Sequence, residues 1–196
     1  MLADGLHDVP MGKAPAIVTH LQMCAQVGGA RREAPAGISF EKGERTVAWY
    51  RDLFDRVGTP WLWFGRRQLS DAALAEIITD PRVALYTLRW KGRDEALLEL
   101  DFREPGDCEL AYFGVTPALI GTGAGRYLMD QAIHLAWAED ITRFHVHTCN
   151  LDSQQALAFY VRSGFVPYKQ QVEIVDDPRL TGLLPRSAAP HVPILE

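Results

Sequence analysis

The sequence predicts a mixed α/β fold of the α+β kind, a mostly antiparallel sheet with helices packed against it. Three observations carry this. Two apolar runs, "RVALYTLRW" (82–90) and "DEALLELDF" (94–102), are joined by the short turn "KGR", as in a hairpin. Two segments, 43–58 and 70–81, repeat apolar residues at helical spacing or carry helix-start and helix-stop signals. Finally, "CELAYFGVTPALIGTGAGRYLMD" (108–130) passes from a strand through a glycine-rich loop into an amphipathic helix, so a parallel crossover follows an antiparallel core.

The elements follow in order. "AIVTHLQMCAQV" (16–27) reads as a first strand, and the stretch 28–37, rich in Gly, Ala, Arg and Pro, as a loop or edge segment. In "GERTVAWYRDLFDRVG" the residues Val47, Tyr50, Leu53, Phe54 and Val57 form one helical face. "SDAALAEIITDP" opens on a capping serine, Ser70, and stops before Pro81. The hairpin and the strand before the glycine loop complete the antiparallel core. After Gly125 comes a helix, then "RFHVHTCN" (143–150), alternating as a strand, and "SQQALAFYVRSGF" (153–165), a helix that Asp152 or Ser153 can cap and Gly164 can end. The tail, 178–196, contains four prolines and no period, which leaves an irregular segment draped over the body and a disordered one both open.

Length and composition set the class. With 196 residues, 47% hydrophobic and 23% charged, the chain is expected to form one domain over 1–196, with a core at about 16–175. It has no run of about 20 apolar residues and no basic start before an apolar stretch, so no membrane partner and a cytoplasmic location are expected. Three widely spaced cysteines suit a reducing compartment. A net charge of −5 without a basic, aromatic-laced stripe speaks against nucleic acid.

Four glycines fall within the twelve residues 114–125, and the helix that follows presents unpaired N–H groups and the positive end of its dipole to the loop. Such a place binds anions, phosphate above all. A nucleotide-hydrolase loop requires a lysine and then Ser or Thr after its last glycine, whereas Arg126 and Tyr127 follow Gly125. A dinucleotide fingerprint requires GxGxxG, and "GTGAGR" brings its last glycine one residue early.

A third pattern agrees. From Glu109 to Phe165 the sequence resembles the GNAT superfamily of acyl-CoA-dependent N-acyltransferases. "VTP" (115–117) stands where the family has "V-x-P", and Gly123, Ala124 and Gly125 supply the "G-x-G" of its coenzyme A loop. Ile120 replaces the usual leading Gln or Arg, and Ser153 a usual Asn. Tyr160, Gly164 and Phe165 match the second motif in register. Several segments, "PWLWF" and "ELAYFGV" among them, resemble a bacterial group of this superfamily with no assigned substrate.

The resemblance implies a GNAT fold with a splayed strand pair, acetyl-CoA as cosubstrate and no metal. It places Phe113, Gly114 and Val115 along the pantetheine arm, and Ile120, Gly121, Thr122, Gly123, Ala124, Gly125, Arg126 and Ser153 around the cofactor. Tyr160 falls beside the thioester sulfur. The acceptor would be an amine on a small molecule, protein or peptide, and monomer and homodimer both stay open. A non-catalytic module that senses acyl-CoA through the same loop is the alternative.

The remaining site residues come from the chemistry. An amine that attacks a thioester must lose a proton. Glu109 lies six residues before Val115, and strand alternation puts the two on one face, so Glu109 is the candidate base. Trp61 and Trp63 share one side if "PWLWFGRR" is extended, and are candidates for an acceptor-site wall. His145 and His147 also share a side, but without an evident third ligand they read as packing or supporting residues. Cys149 reads as a buried strand thiol rather than a nucleophile.

Overall fold

A computed structural model describes residues 3–27 and 32–196, so the reading of 28–37 as a loop lies partly outside the described residues. The strands are β1 (Lys13–Met23), β2 (Ile38–Lys42), β3 (Val83–Trp90), β4 (Arg93–Asp94), β5 (Ala96–Asp101), β6 (Asp107–Val115), β7 (Arg143–Cys149) and β8 (Val166–Asp176). The helices are α1 (Val47–Gly58), α2 (Asp71–Thr79), α3 (Ala124–Ala136) and α4 (Ala156–Arg162). They follow local signals. Thr46 caps α1 by accepting from the Trp49 N–H, Ser70 caps α2, and Lys91 and Gly92 both take the left-handed conformation that a two-residue hairpin turn requires.

The sheet runs β2-β3-β5-β6-β7-β1-β8, with β4 extending the β3 hairpin. Neighbours are antiparallel except β6 and β7, the parallel pair joined by the α3 crossover. One face packs on α3 and α4 through Leu98, Leu100, Leu110, Phe144 and Leu21. The other packs on α1 and α2 through Leu85 and Leu97, and further along on the tail through Ala14, Ala16 and Val18.

Three readings need amendment. The first strand begins at Lys13 and ends at Met23, and it lies inside the sheet between β7 and β8. β8 is an element the sequence reading did not assign. Its apolar residues Val166, Tyr168, Val172 and Ile174 alternate with polar ones, but the strand is exposed on both faces. The tail is irregular and draped. Asp177 and Arg179, 2% and 1% exposed, pair at 2.6 Å, and Arg179 also donates to the carbonyls of Ala188, Ala189, Val192 and Pro193. Buried charges persist only when paired and hydrogen-bonded, so this arginine organises the tail around itself. Among the described residues, no helix is long and apolar enough to cross a membrane.

Candidate active site

The site is the gap between β6 and β7. Their parallel pairing runs from Asp107 opposite Arg143 only to Glu109 opposite His145; beyond that the strands part. A bulge in β6 accompanies the split, because Leu100 faces Leu110 while the adjacent Glu99 faces Tyr112, leaving Ala111 as an extra residue. This corrects the strand parity. Glu109 shares a face with Tyr112 and Gly114, toward α1, whereas Phe113 and Val115 turn toward α3 and α4, so Glu109 and Val115 lie on opposite faces.

The split leaves main chain unpaired. Thr116 donates to the carbonyl of Glu95, just before β5, at 2.9 Å, so by alternation Val115 and Phe113 turn their peptide groups into the gap. At its upper end the gap meets the glycine loop. Gly121 and Gly123 have φ of +81° and +88°, and a Cβ added at Gly121, Gly123 or Gly125 would meet nothing within 4 Å, so the space over the loop is open. Two of the loop amides are used internally: Thr122 donates to the Leu119 carbonyl and Ala124 to Thr122 Oγ1. The amides of Gly121, Gly123, Gly125 and Arg126 have no partner among the described residues. Four free donors at a helix start, under open space, fit a pyrophosphate. Thr122 braces the loop, and the Ala124 side chain is wholly buried.

A cavity of about 610 Å³ runs through the gap. Phe113, Gly114, Val115, Ile120, Gly125, Arg126, Ser153, Tyr160, Trp61 and Trp63 all line it, while Glu109 does not. Ile120 stands 60% exposed at its rim. Tyr160 is buried among Phe113, Phe159 and Phe165, and burial pushes its hydroxyl well above the usual phenol range. Gly114 is small for a reason on the α1 side: a Cβ there would come within 2.5 Å of Val57 on α1 and 3.3 Å of Trp63.

The two tryptophans line one cavity, but not as alternate residues of an extended strand. Residues 59–61 form a 3-10 turn and Leu62 is left-handed, so the stretch is not extended. Trp63 packs on Phe54 and Tyr112 and donates from Nε1 to Asp152 Oδ1 at 3.0 Å. Trp61 instead meets His191 of the tail, ring centroids 5.8 Å apart. Partly buried Arg66 holds this segment to the sheet by pairing with buried Glu99, which also accepts from Tyr50. Asp152 is committed as well, accepting from Trp63, Thr148 and the Cys149 N–H, so it ties the segment to the end of β7 rather than capping α4. The Ser153 hydroxyl accepts only a long 3.4 Å bond from the Gln155 N–H, and α4 begins at Ala156 without a side-chain cap; Gly164, at φ +100°, does end it.

His147 and Asp152 are the residues that sequence reasoning missed. The "HVH" alternation put His147 on one face with His145, but nothing local showed that this face opens into the cavity. His147 Nδ1 lies 3.6 Å from Glu109 Oε1. The Glu109 contact raises the imidazole against its own burial, and the same contact lowers the carboxyl below its ordinary range. Cys149, also lining the cavity, is pushed up to about 11 by burial and stays a thiol at neutral pH. Among the described residues, no group of three His, Cys, Asp or Glu side chains is arranged to hold an ion.

Comparison with known proteins agrees with this geometry. Uncharacterized N-acetyltransferases of Mycobacterium bovis and Mycobacterium tuberculosis are 38% identical to the chain over 98 residues, which is 50% of this chain and 62% of theirs. The chain thus spans less than two thirds of the length of these relatives. Among solved structures, a GCN5-related N-acetyltransferase from Sphaerobacter thermophilus superposes with a TM-score of 0.64 at 13% identity, covering 84% of this chain and 53% of that one. A GNAT family acetyltransferase from Elizabethkingia anophelis, solved with acetyl-CoA bound, gives 0.53 at 16% identity, covering 68% and 79%. These likenesses speak to the fold. The model of the acetyltransferase (GNAT) family matches residues 44–165, a span that holds α1, the parted strands, the glycine loop and Tyr160. By that match, over more than half its length, the chain belongs to the GNAT acetyltransferase family.

Proposed function

We propose that the chain transfers an acetyl group from acetyl-CoA to an amine by direct attack. One observation carries the reading: the unpaired β6 edge at Phe113 and Val115 runs, within one cavity, to Gly125 and Arg126, two of the four residues with free amides at the start of α3. A strand edge can pair with the amides of a pantetheine arm, and the helix start can take the pyrophosphate. Bound there, acetyl-CoA would supply a thioester carbonyl open to attack and a sulfur able to leave as thiolate. Tyr160, kept protonated by burial, donates a hydrogen bond to that sulfur. Glu109 supplies the carboxylate at the closed end of the gap, from which the proton route is built.

Charge along the cavity supports the direction of the reaction. Arg126 stands at the start of α3 beside the free amides, while Asp152 and Glu173 line the same cavity with the indole of Trp61. An amine on an apolar or aromatic body matches that acceptor end. Thiol release from acetyl-CoA in the presence of a panel of such amines tests the proposal. Amine-dependent release is expected; tight coenzyme A binding with no release from any amine would favour the sensor alternative.

A further inference from the structure

We propose that His147 is the group that takes the amine's proton, and that Glu109 acts behind it as a positioning residue. The inference rests on the transfer reading above and specifies its proton path. His147 lies two residues beyond the last β7 residue paired with β6, lines the cavity and is half-exposed, whereas Glu109 does not line the cavity. The carboxylate meets the imidazole on Nδ1, which favours the tautomer with the proton on Nδ1 and leaves Nε2 as the acceptor.

The other ionisable groups of the cavity are committed or misplaced. Asp152 already accepts three hydrogen bonds. Cys149 and Tyr112 are held protonated, at about 11 and about 12, by burial. Tyr160 belongs to α4 on the opposite face, and Glu173 is on β8, separated from β7 by β1.

Attack forms the C–N bond and leaves the nitrogen positively charged. Its proton passes to His147 Nε2 while the C–S bond breaks and the electron pair departs with the sulfur, stabilised by the Tyr160 hydroxyl. The imidazolium then faces Glu109 and releases the proton to solvent. The groups around His147 are Glu109 on β6, Glu173 on β8, Asp152 after β7, His145 on its own strand and His20 on β1, whose ring centroid is 5.7 Å away. The three carboxylates favour the imidazolium, Glu109 first, while burial opposes it. Because the neutral ring is the active form, turnover rises with pH through a value above the usual histidine pKa of about 6.5.

The test is the pH dependence of kcat for thiol release, with the amine that the panel shows to be fastest, in the wild type, His147→Gln and Glu109→Gln. NMR titration of the His147 ring in the free protein accompanies it. The wild type is expected to show a rising limb above pH 6.5, matched by the ring titration. Glu109→Gln should keep the limb but move it, with the ring titration, to lower pH by about one unit. His147→Gln should lose the limb and at least about tenfold in kcat, with coenzyme A affinity unchanged. Brisk release with an unaltered limb in His147→Gln overturns the assignment and leaves the transfer reading intact. A limb lost in Glu109→Gln and only moved in His147→Gln would make Glu109 the base. If no amine releases thiol, the transfer reading fails and the His147 assignment falls with it.

Discussion

The two walls of the gap are built in different ways. The donor wall is one unbroken stretch, Phe113 to Arg126, and it offers main-chain groups: a strand edge and four loop amides. The acceptor wall is gathered from Trp61, Trp63, Tyr112, His147, Asp152 and the tail, and it offers side chains held in place by other side chains. Main-chain recognition tolerates exchange of side chains, and under the proposed function Ile120, exposed at the rim, would be an instance. It does not tolerate a change in φ. The acceptor wall has the opposite sensitivity, since every member depends on a partner far away in the chain.

That contrast can be broken from either side. The largest effect is expected from Asp177→Asn, which leaves the Arg179 guanidinium buried without its counter-charge and costs about 3 kcal/mol of stability in thermal unfolding. Acceptor KM should rise as His191 leaves Trp61, while coenzyme A affinity by calorimetry should hold; a parallel loss of both would mean that the walls are not independent. Arg179 holds the Asp177 carboxyl below its ordinary range, so the pair's contribution is complete above about pH 4 and is lost as the pH falls through that lowered value. Tail release, followed by proteolysis, should appear only in acid.

Gly123→Val attacks the donor wall. A β-branched residue at φ +88° is strained by about 2 kcal/mol, and relief requires moving the loop amides. Coenzyme A affinity should fall at least about tenfold, with acceptor-side stability unchanged; retained affinity would refute the loop assignment. Tyr160→Phe removes one hydroxyl between the walls. Turnover should fall about tenfold, near 1.4 kcal/mol, with coenzyme A affinity and melting temperature little altered, and an equal rate would reduce Tyr160 to packing. The smallest effect on stability, below about 1 kcal/mol, is expected from Trp61→Ala, because its ring is only partly buried. Acceptor selectivity should change nonetheless, and an unchanged amine profile would remove Trp61 from the wall.

The strand and loop of the proposed donor wall were legible in the sequence because their signals are local. Glycine spacing, the preceding strand and the following helix all lie within the same stretch, and the structure adds only that Thr122 and Ala124 turn their amides inward. The acceptor wall was half legible. Trp61 and Trp63 were identified, but their common side assumed an extended chain, and the left-handed Leu62 separates them. The parity argument for Glu109 failed at Ala111, because a bulge is decided by how two strands pair rather than by the residues of one.

By itself, the sequence determined what depends on neighbours along the chain: the Ser70 cap, the hairpin turn at Lys91 and Gly92, the crossover and the glycine loop. Only the tertiary structure decided that β1 enters the sheet between β7 and β8, that β6 and β7 part after Glu109, and that His147 thereby faces a cavity with a carboxylate behind it. The physical reason is range. Helix, turn and loop preferences are set by φ, ψ and capping partners within a few residues, whereas strand order, register and the pairing of buried charges depend on groups that meet only after the chain has collapsed around them.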